Sequence, residues 1–242
     1  MTGFSLERRL AAEAIGAGLV VATVVGSGIA TSRLAHDVGI MLPGNTIPTG
    51  AIMVVLILML GPVSGAHFNP AVSLVIAMRK QLQWAELPSY AIAQVVGGIA
   101  GAMAANLMFD QAILQASNAA RAGAGQYIAE GVATGGLVLA VIGVMRFRPG
   151  AMAAAVGLYG VAVYWFTASM SFANPAVTIA RSLTDSAAGV APMDVPAIMA
   201  VQAVAAVGAA LLAGWLFTVG SPAPGPEESA GRDVTDFQFW GR

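Results

Sequence analysis

The tripeptide Asn-Pro-Ala occurs twice in this chain, at Asn69-Pro70-Ala71 and at Asn174-Pro175-Ala176. Each copy lies at the end of a hydrophobic run and opens an apolar stretch that is too short to cross a bilayer. Proline suits the first turn of a helix, because its missing N–H would be unpaired there anyway, and asparagine suits the N-cap before it. Two short helices at corresponding places in two repeats predict a pore whose centre is lined by helix N-termini.

The composition indicates an integral membrane protein. Of the 242 residues, 57% are hydrophobic and 10% are charged, and the mean hydropathy is +0.78, whereas a soluble protein has about a quarter charged residues. The chain has no cysteine and two histidines, which excludes disulfides and argues against a metal site. The net charge of -1 favours no nucleic-acid partner. No nucleophile–base pair or phosphate loop is visible in the sequence, so we expect neither an enzyme nor a cofactor.

Six apolar runs are long enough to span a bilayer, which takes about 20 residues. The halves also match in sequence, since Ala12-Glu13 and Ala129-Glu130 open similar runs. Because each half has three spans, the second half enters from the opposite face, which predicts an inverted repeat. The predicted spans are Leu10–Leu34, Thr46–Val63, Pro88–Phe109, Ile128–Met145, Met152–Met170 and Pro192–Val219.

We predict a single transmembrane domain over residues 1–219, with repeats at about 8–110 and 126–219, and a disordered tail over residues 220–242. Basic loop residues favour the cytoplasmic side of a membrane, which predicts a multi-pass protein of the cell membrane with both termini in the cytoplasm. In that orientation the inner basic residues are Arg8, Arg9, Arg79, Lys80, Arg146 and Arg148, and the outer ones are Arg33, Arg121 and Arg181.

The runs at residues 64–72 and 172–177, together with the paired Ala-Glu motifs, resemble those of the aquaporin or major intrinsic protein family. The resemblance covers essentially everything up to about residue 219. It implies an all-α membrane protein in the lipid bilayer, with six transmembrane helices and two re-entrant half-helices in an inverted repeat. It also implies a homotetramer in which every subunit has its own pore.

The asparagines and two buried acids each admit two interpretations. Asn69 and Asn174 either donate hydrogen bonds into the lumen or serve only as helix caps, and their symmetry favours the pore. Glu13 and Glu130 lie within spans, where a carboxylate is either a proton relay or an acceptor for loop N–H groups. The resemblance favours the acceptor role, and it implies that His67 supports the first loop.

The family has a narrow filter of four residues, which we place by counting from the motifs without gaps. Thr49 is twenty residues before Asn69, while Ala162 and Ser171 are twelve and three residues before Asn174, and Val177 is three residues after it. Water channels of the family usually carry a phenylalanine at the first position and a histidine at the second, and nearly all members carry an arginine at the fourth. The sequence therefore predicts a wide, uncharged filter, since selectivity depends on pore diameter, donors and electrostatic barriers.

Nearby residues leave the width of the filter open. Arg181 lies one helical turn beyond Val177, either as a displaced filter arginine at the pore mouth or, as we favour, as a surface residue at the outer membrane boundary. The aromatic residues at 164–166 could narrow the pore again, although at helical spacing at least one of them should face lipid or a neighbouring subunit.

These features predict a passive channel for small neutral solutes. The run at residues 172–185 is similar to that of bacterial aquaglyceroporins associated with arsenic resistance, which implies passage of arsenite, As(OH)3, and of methylated arsenicals, besides water. A general glycerol and urea facilitator is the first alternative. A proton-coupled transporter is the second, because inverted repeats and buried acids also occur in that class.

Overall fold

The computed structural model describes residues 3–35 and 37–218. Within these ranges the chain folds into six long helices and two short ones, and short 3-10 turns at Pro149–Ala151 and Pro192–Asp194 precede the fifth and sixth long helices. The helices are α1 (Leu6–Leu34), α2 (Val38–Ser64), α3 (Pro70–Met78), α4 (Leu87–Met108), α5 (Ala124–Phe147), α6 (Met152–Phe166), α7 (Pro175–Arg181) and α8 (Val195–Leu216).

The six long helices, with α6 and α8 counted together with the 3-10 turns before them, are each long and apolar enough to cross a membrane. They occupy the six predicted spans, although the starts of α1, α2 and α5 and the end of α6 each shift by four residues or more. Helix α2 begins at Val38 rather than at Thr46, because the Asp37 side chain accepts the Gly39 N–H at 2.7 Å and caps an earlier turn. Helix α6 ends at Phe166 rather than at Met170, because Thr167 is extended and starts a non-helical loop. Val219 and the predicted tail over residues 220–242 lie outside the described residues.

Two glycines bring α1 and α4 into close contact. A Cβ atom at Gly97 would lie 2.0 Å from the carbonyl oxygen of Ala14, and one at Gly101 would lie 2.1 Å from that of Gly18. Only glycine fits at these two positions, because backbone atoms cannot move aside as a side chain can. This close crossing brings α1, which carries Glu13, directly against α4.

The short helices connect the two halves. Helix α3 packs against α8 of the second half, and α7 packs against α4 of the first. Many large apolar side chains cover the outside of the bundle, as expected of a surface that faces lipid or other subunits. Strongly exposed examples are Leu58, Ile92, Leu158, Val204, Leu211 and Trp215.

Candidate functional site: a cavity through the helix bundle

A cavity of about 430 Å³ runs between the helices and is lined by one face of each helix that contributes to it. From α2, Thr49, Met53 and Ile57 recur at every fourth position, which is the repeat of one helical face. One end of the cavity is lined by Arg9 and Glu86, and we call it the Arg9 end. The opposite end is lined by Thr49 and Tyr164, and we call it the Thr49 end.

The two Asn-Pro-Ala motifs meet in the middle of this cavity. Asn69 Oδ1 accepts the Ala71 N–H at 2.9 Å, and Asn174 Oδ1 accepts the Ala176 N–H at 2.9 Å, so each asparagine caps its own helix. Both asparagines also line the cavity.

Each asparagine also binds the loop of the other motif. Asn69 Nδ2 donates to the Ala173 carbonyl at 2.8 Å, and Asn174 Nδ2 donates to the Phe68 carbonyl at 2.8 Å. A side-chain amide has two N–H donors. One is therefore used between the loops, and the second is available to the lumen.

Glu13 is completely buried and holds the first loop. Its carboxylate accepts the backbone N–H groups of His67 at 3.0 Å and Phe68 at 2.6 Å. It also accepts the Ser64 hydroxyl at 2.6 Å and the Gln94 amide at 2.7 Å. Four donors thus converge on one carboxylate, which is the geometry of a loop support in a membrane, where backbone groups have no water to bind.

Glu130 repeats this arrangement in the second half and is equally buried. Its carboxylate accepts the N–H groups of Phe172 at 2.8 Å and Ala173 at 2.9 Å, the Ser169 hydroxyl at 2.6 Å and the Gln202 amide at 2.8 Å. The lining of the cavity includes neither glutamate. Both carboxylates therefore face the loops rather than the lumen.

The carboxylates stabilise strained loop backbones. In the first loop Ala66 and Phe68 have φ values of 51° and 49°, and in the second Ser171 and Ala173 have values of 40° and 47°. Left-handed backbone costs a residue with a Cβ atom about 1–2 kcal/mol. The conformation aims successive N–H groups at the carboxylate and leaves carbonyl groups for the opposite asparagine.

Three of the four predicted filter residues lie on the cavity, and the fourth does not. Thr49, Ser171 and Val177 are part of the lining, whereas Ala162 is exposed on the outside of α6. Successive helical residues are rotated by about 100°, so an offset of one residue points to a different face. The gap-free count therefore misses the face of α6 that meets the cavity, which is formed by Met152, Val156, Tyr159, Gly160, Val163 and Tyr164.

Two aromatic rings lie at the Thr49 end. Tyr164 and Phe172 are buried and line the cavity, whereas Trp165 and Phe166 are 55% and 59% exposed on the outside. This end of the cavity is thus lined by two rings, small polar groups and aliphatic groups.

Arg181 is not a surface residue, and our preference for that position is wrong. Its side chain is 1% exposed, because α7 directs it inward beneath Phe172. Its Nε donates to the Ala188 carbonyl, and its Cζ lies 3.8 Å from the centre of the Phe172 ring. It does not belong to the cavity lining, from which the ring separates it.

At the other end, Arg9 and Glu86 form the one salt bridge among the described residues, at 2.5 Å. Tyr90 joins them, since its hydroxyl accepts from Arg9 at 3.3 Å and donates to the Ser64 carbonyl at 3.0 Å. The His67 ring packs against Tyr90 and contacts the Ser73 hydroxyl at 3.1 Å. His67 therefore lies between the cavity and α3. Within residues 3–35 and 37–218 no group of acids and histidines could hold a metal.

Several residues of this site are not among those predicted from the sequence. Gln94 and Gln202 occur in matching segments of the two repeats, and that symmetry could have paired them with the glutamates. Phe172 and Val163 carry no comparable signal, because their position depends on how the loop and α6 pack.

Comparisons with known proteins agree with this architecture. The sequence profile named Major intrinsic protein matches residues 1–148. The chain is also 50% identical over 222 residues to Aquaglyceroporin AqpS of Rhizobium meliloti (strain 1021), covering 92% of this chain and 95% of that protein. The chain belongs to the major intrinsic protein family. Members of this family are membrane channels and not enzymes, so the chain is a multi-pass membrane channel that passively conducts small neutral solutes and water.

More distant matches are shorter or show the fold alone. Probable aquaporin NIP4-2 of Arabidopsis thaliana is 33% identical over 105 residues, which is 43% of this chain and 36% of that protein. The X-ray structure of the aquaglyceroporin from Plasmodium falciparum superimposes with a TM-score of 0.67 at 19% identity, covering 87% of this chain and 95% of that chain. This likeness establishes the aquaporin fold.

Proposed function

We propose that this major intrinsic protein conducts arsenite and methylated arsenicals, as well as glycerol-like solutes and water, through a filter without the usual arginine. The observation that carries the proposal is the lining of the Thr49 end. Val177 stands on the lumen at the position where nearly all members have arginine, with Thr49 and Ser171 as small neighbours. Loss of a guanidinium removes five donors and opens space for solutes larger than water.

Arsenite fits these surroundings chemically. At neutral pH it is an uncharged trihydroxide, about the size of glycerol, so it carries no net charge across the bilayer. The free amide donors of Asn69 and Asn174 can donate to its hydroxyl oxygens, and the Thr49 hydroxyl, whose own proton goes to the Asn45 carbonyl, can accept from one of them. The 50% identical relative is named an aquaglyceroporin, which supports passage of polyols beside water.

A general glycerol and urea facilitator is the second candidate. Of its two solutes, the aromatic rings at the Thr49 end favour glycerol. Tyr164 and Phe172 offer an apolar wall opposite small polar groups. A solute with C–H groups on one side and hydroxyls on the other suits such a wall. Arsenite has no C–H groups, whereas methylated arsenicals do, so the two candidates predict different rankings of solutes.

The proton-coupled transporter has less support in the geometry. Glu13 and Glu130 each accept four hydrogen bonds, and neither reaches the cavity. A relay needs a carboxylate that exchanges its proton with the lumen. A solute flux that is linear in concentration and independent of a proton gradient is therefore the expected result.

We further propose a homotetramer in the cell membrane with both termini in the cytoplasm. The chain turns between α5 and α6, and after α3, lie at the Arg9 end, so the six basic residues assigned to the inside are all at that end. This distribution fits the preference of basic loops for the cytoplasm. The exposed apolar side chains around the bundle are available to lipid and to neighbouring subunits.

Stopped-flow light scattering on proteoliposomes tests the substrate proposal. Wild-type vesicles should swell rapidly in arsenite and glycerol gradients, with rates linear in concentration, and should also conduct water. Equal arsenite and glycerol entry with and without the protein would refute the wide-filter proposal. Glycerol entry alone would leave the general facilitator as the function.

Two neighbouring residues of α6 provide a matched control. Val163→Phe adds a ring inside the cavity, whereas Ala162→Phe adds the same ring on the outside of the bundle. Arsenite and glycerol entry should fall in the first variant and stay near wild type in the second, provided that both variants assemble equally by size-exclusion chromatography. The reverse order would mean that the pore passes the other face of α6.

A further inference from the structure

We propose that Arg181 is the charge-selective residue of this channel: from behind Phe172 it excludes cations from the Thr49 end while neutral solutes pass. The inference deepens the proposed function and rests on it in one respect, that the cavity conducts neutral solutes. It goes beyond the small-residue filter, because it assigns the missing charge to a residue outside the lining.

The first step is the position of Arg181. The side chain is 1% exposed and its guanidinium lies over the Phe172 ring. Phe172 in turn lines the lumen. Arg181 Nη1 is buried and has no hydrogen-bond partner. A buried N–H without a partner is costly, so packing by itself does not account for an arginine at this place.

The second step is the charge. Within residues 3–35 and 37–218 the one salt bridge joins Arg9 to Glu86, so Arg181 has no carboxylate partner in the described structure. The Tyr164 hydroxyl and, more weakly, the Glu130 carboxylate act on it electrostatically, but the oxygens of Glu130 already accept four other donors. The positive charge of Arg181 is therefore not neutralised by direct contact.

A second arginine adds to this positive region. Arg121 donates to the carbonyls of Ala187 and Gly189, and Arg181 donates to the carbonyl of Ala188 between them. Two guanidinium groups thus bind consecutive carbonyls of one outer loop. Arg121 also contributes a like charge to the surroundings of Arg181.

The third step is the effect on a permeating particle. Arg181 lies four residues beyond Val177, about 6 Å further along α7. The buried side of the Phe172 ring is apolar and screens a charge poorly, so the field of the guanidinium extends into the lumen. A cation near Val177 is repelled, whereas an uncharged solute experiences no net force. The filter can therefore be wide and still exclude cations.

A purely structural role is the competing explanation. Arg181 is the last residue of α7, where a cation interacts favourably with the helix dipole, and it binds the loop at Ala188. Lysine preserves the positive charge, but it cannot stack flat on the Phe172 ring and it has one nitrogen in place of the three of the guanidinium. Glutamine preserves a donor but loses the charge. These two substitutions therefore separate charge from loop support.

The test measures neutral and ionic fluxes on the same proteoliposomes. Arsenite and glycerol entry are read by light scattering, and K⁺ entry is read with a potential-sensitive dye under a KCl gradient. Wild-type protein and Arg181→Lys should exclude K⁺. Arg181→Gln should admit K⁺ about tenfold faster than wild type, because a unit charge near the lumen is lost, with neutral entry changed less than about twofold.

A rescue variant adds a readout that a structural role would not move. Val177→Arg in the Arg181→Gln background places a guanidinium in the lining one turn deeper, and it should restore K⁺ exclusion while slowing glycerol. Failure of this rescue, or an equal K⁺ leak through the lysine variant, would overturn the proposal. A folded glutamine variant without a leak would overturn it as well.

Two outcomes separate this inference from the function on which it rests. If Arg181→Gln does not fold, the wild-type protein still tests charge exclusion. A K⁺ leak through wild-type protein at a rate comparable to glycerol entry would refute it. If wild-type protein conducts neither arsenite nor glycerol while the glutamine variant leaks K⁺, the substrate proposal fails and the charge-selective role of Arg181 stands.

Discussion

Asn69 and Asn174 each hold the loop that carries the other. Asn69 donates to the Ala173 carbonyl and Asn174 to the Phe68 carbonyl, both at 2.8 Å. Each carbonyl belongs to the residue immediately before the opposite asparagine. The two half-helices are therefore joined tip to tip by a reciprocal pair of buried hydrogen bonds.

Replacing either asparagine with alanine should destabilise the protein through two losses. The helix loses a cap, which costs about 1 kcal/mol, and the opposite carbonyl loses its partner, which costs about 1–3 kcal/mol. We expect the Asn69→Ala, Asn174→Ala double variant to lose less than the sum of the singles, because either change already releases one loop. Thermal unfolding in detergent measures all three variants.

The exposed Asn118 is the control for this cycle, since its bonds to Asp185 lie at the surface. Asn118→Ala should change stability by about 0.5 kcal/mol or less. Strictly additive losses for Asn69 and Asn174 would show that the two loops are stabilised independently.

Glu130→Gln should cost about 3–5 kcal/mol, as expected when one member of a buried charged network is removed. The new amide places an N–H₂ group among donors that come from Phe172, Ala173 and Gln202. Glu7→Gln is the control, because Glu7 is exposed at the start of α1. Equal unfolding temperatures for the two variants would contradict the loop-support role.

Gly101→Ala should abolish most of the folded yield. The added Cβ would lie 2.1 Å from the Gly18 carbonyl oxygen, so α1 and α4 would have to separate along their whole contact. Gly208→Ala is the matched change on α8, where no atom lies within 4 Å of the added carbon. That variant should be as stable as wild type or gain about 0.5–1 kcal/mol from helix propensity. Monodisperse yield and unfolding temperature report both, and a tolerated alanine at 101 would mean that the two helices are not in close contact.

The Arg9–Glu86 pair should make stability depend on pH. Hydrogen bonds from Arg9 hold the pKa of Glu86 below its ordinary value, so the folded state binds this proton more weakly than the unfolded state. The pair therefore stabilises the protein above the unfolded pKa, and the contribution is lost as the pH falls through the lowered one. The difference in unfolding temperature between wild type and Glu86→Gln should shrink from pH 7 to below about pH 4. A constant difference over that range would contradict the assignment.

The apolar runs, the two Asn-Pro-Ala helices and the Glu13–Glu130 pair could all be predicted from the sequence. Each depends on local chemistry: a proline pre-sets the first turn, an asparagine caps it, and an acid in an apolar run needs donors. Arg181 shows the limit of such reasoning, because both of its interpretations share the same local sequence. Its burial depends on Phe172, which lies in a loop whose path is set by Glu130.

The sequence by itself therefore determined the class of protein, the number of spans and the motifs that meet at the centre. The tertiary structure decided which atoms border the lumen. Ala162 and Val163 are neighbours in the chain, yet one faces outward and the other lines the cavity. The close contact between α6 and α2 at Gly50 and Gly157 fixes how α6 is turned about its own axis. Because successive helical residues point about 100° apart, this contact decides which α6 side chains line the filter. Counting residues from a motif cannot supply that information.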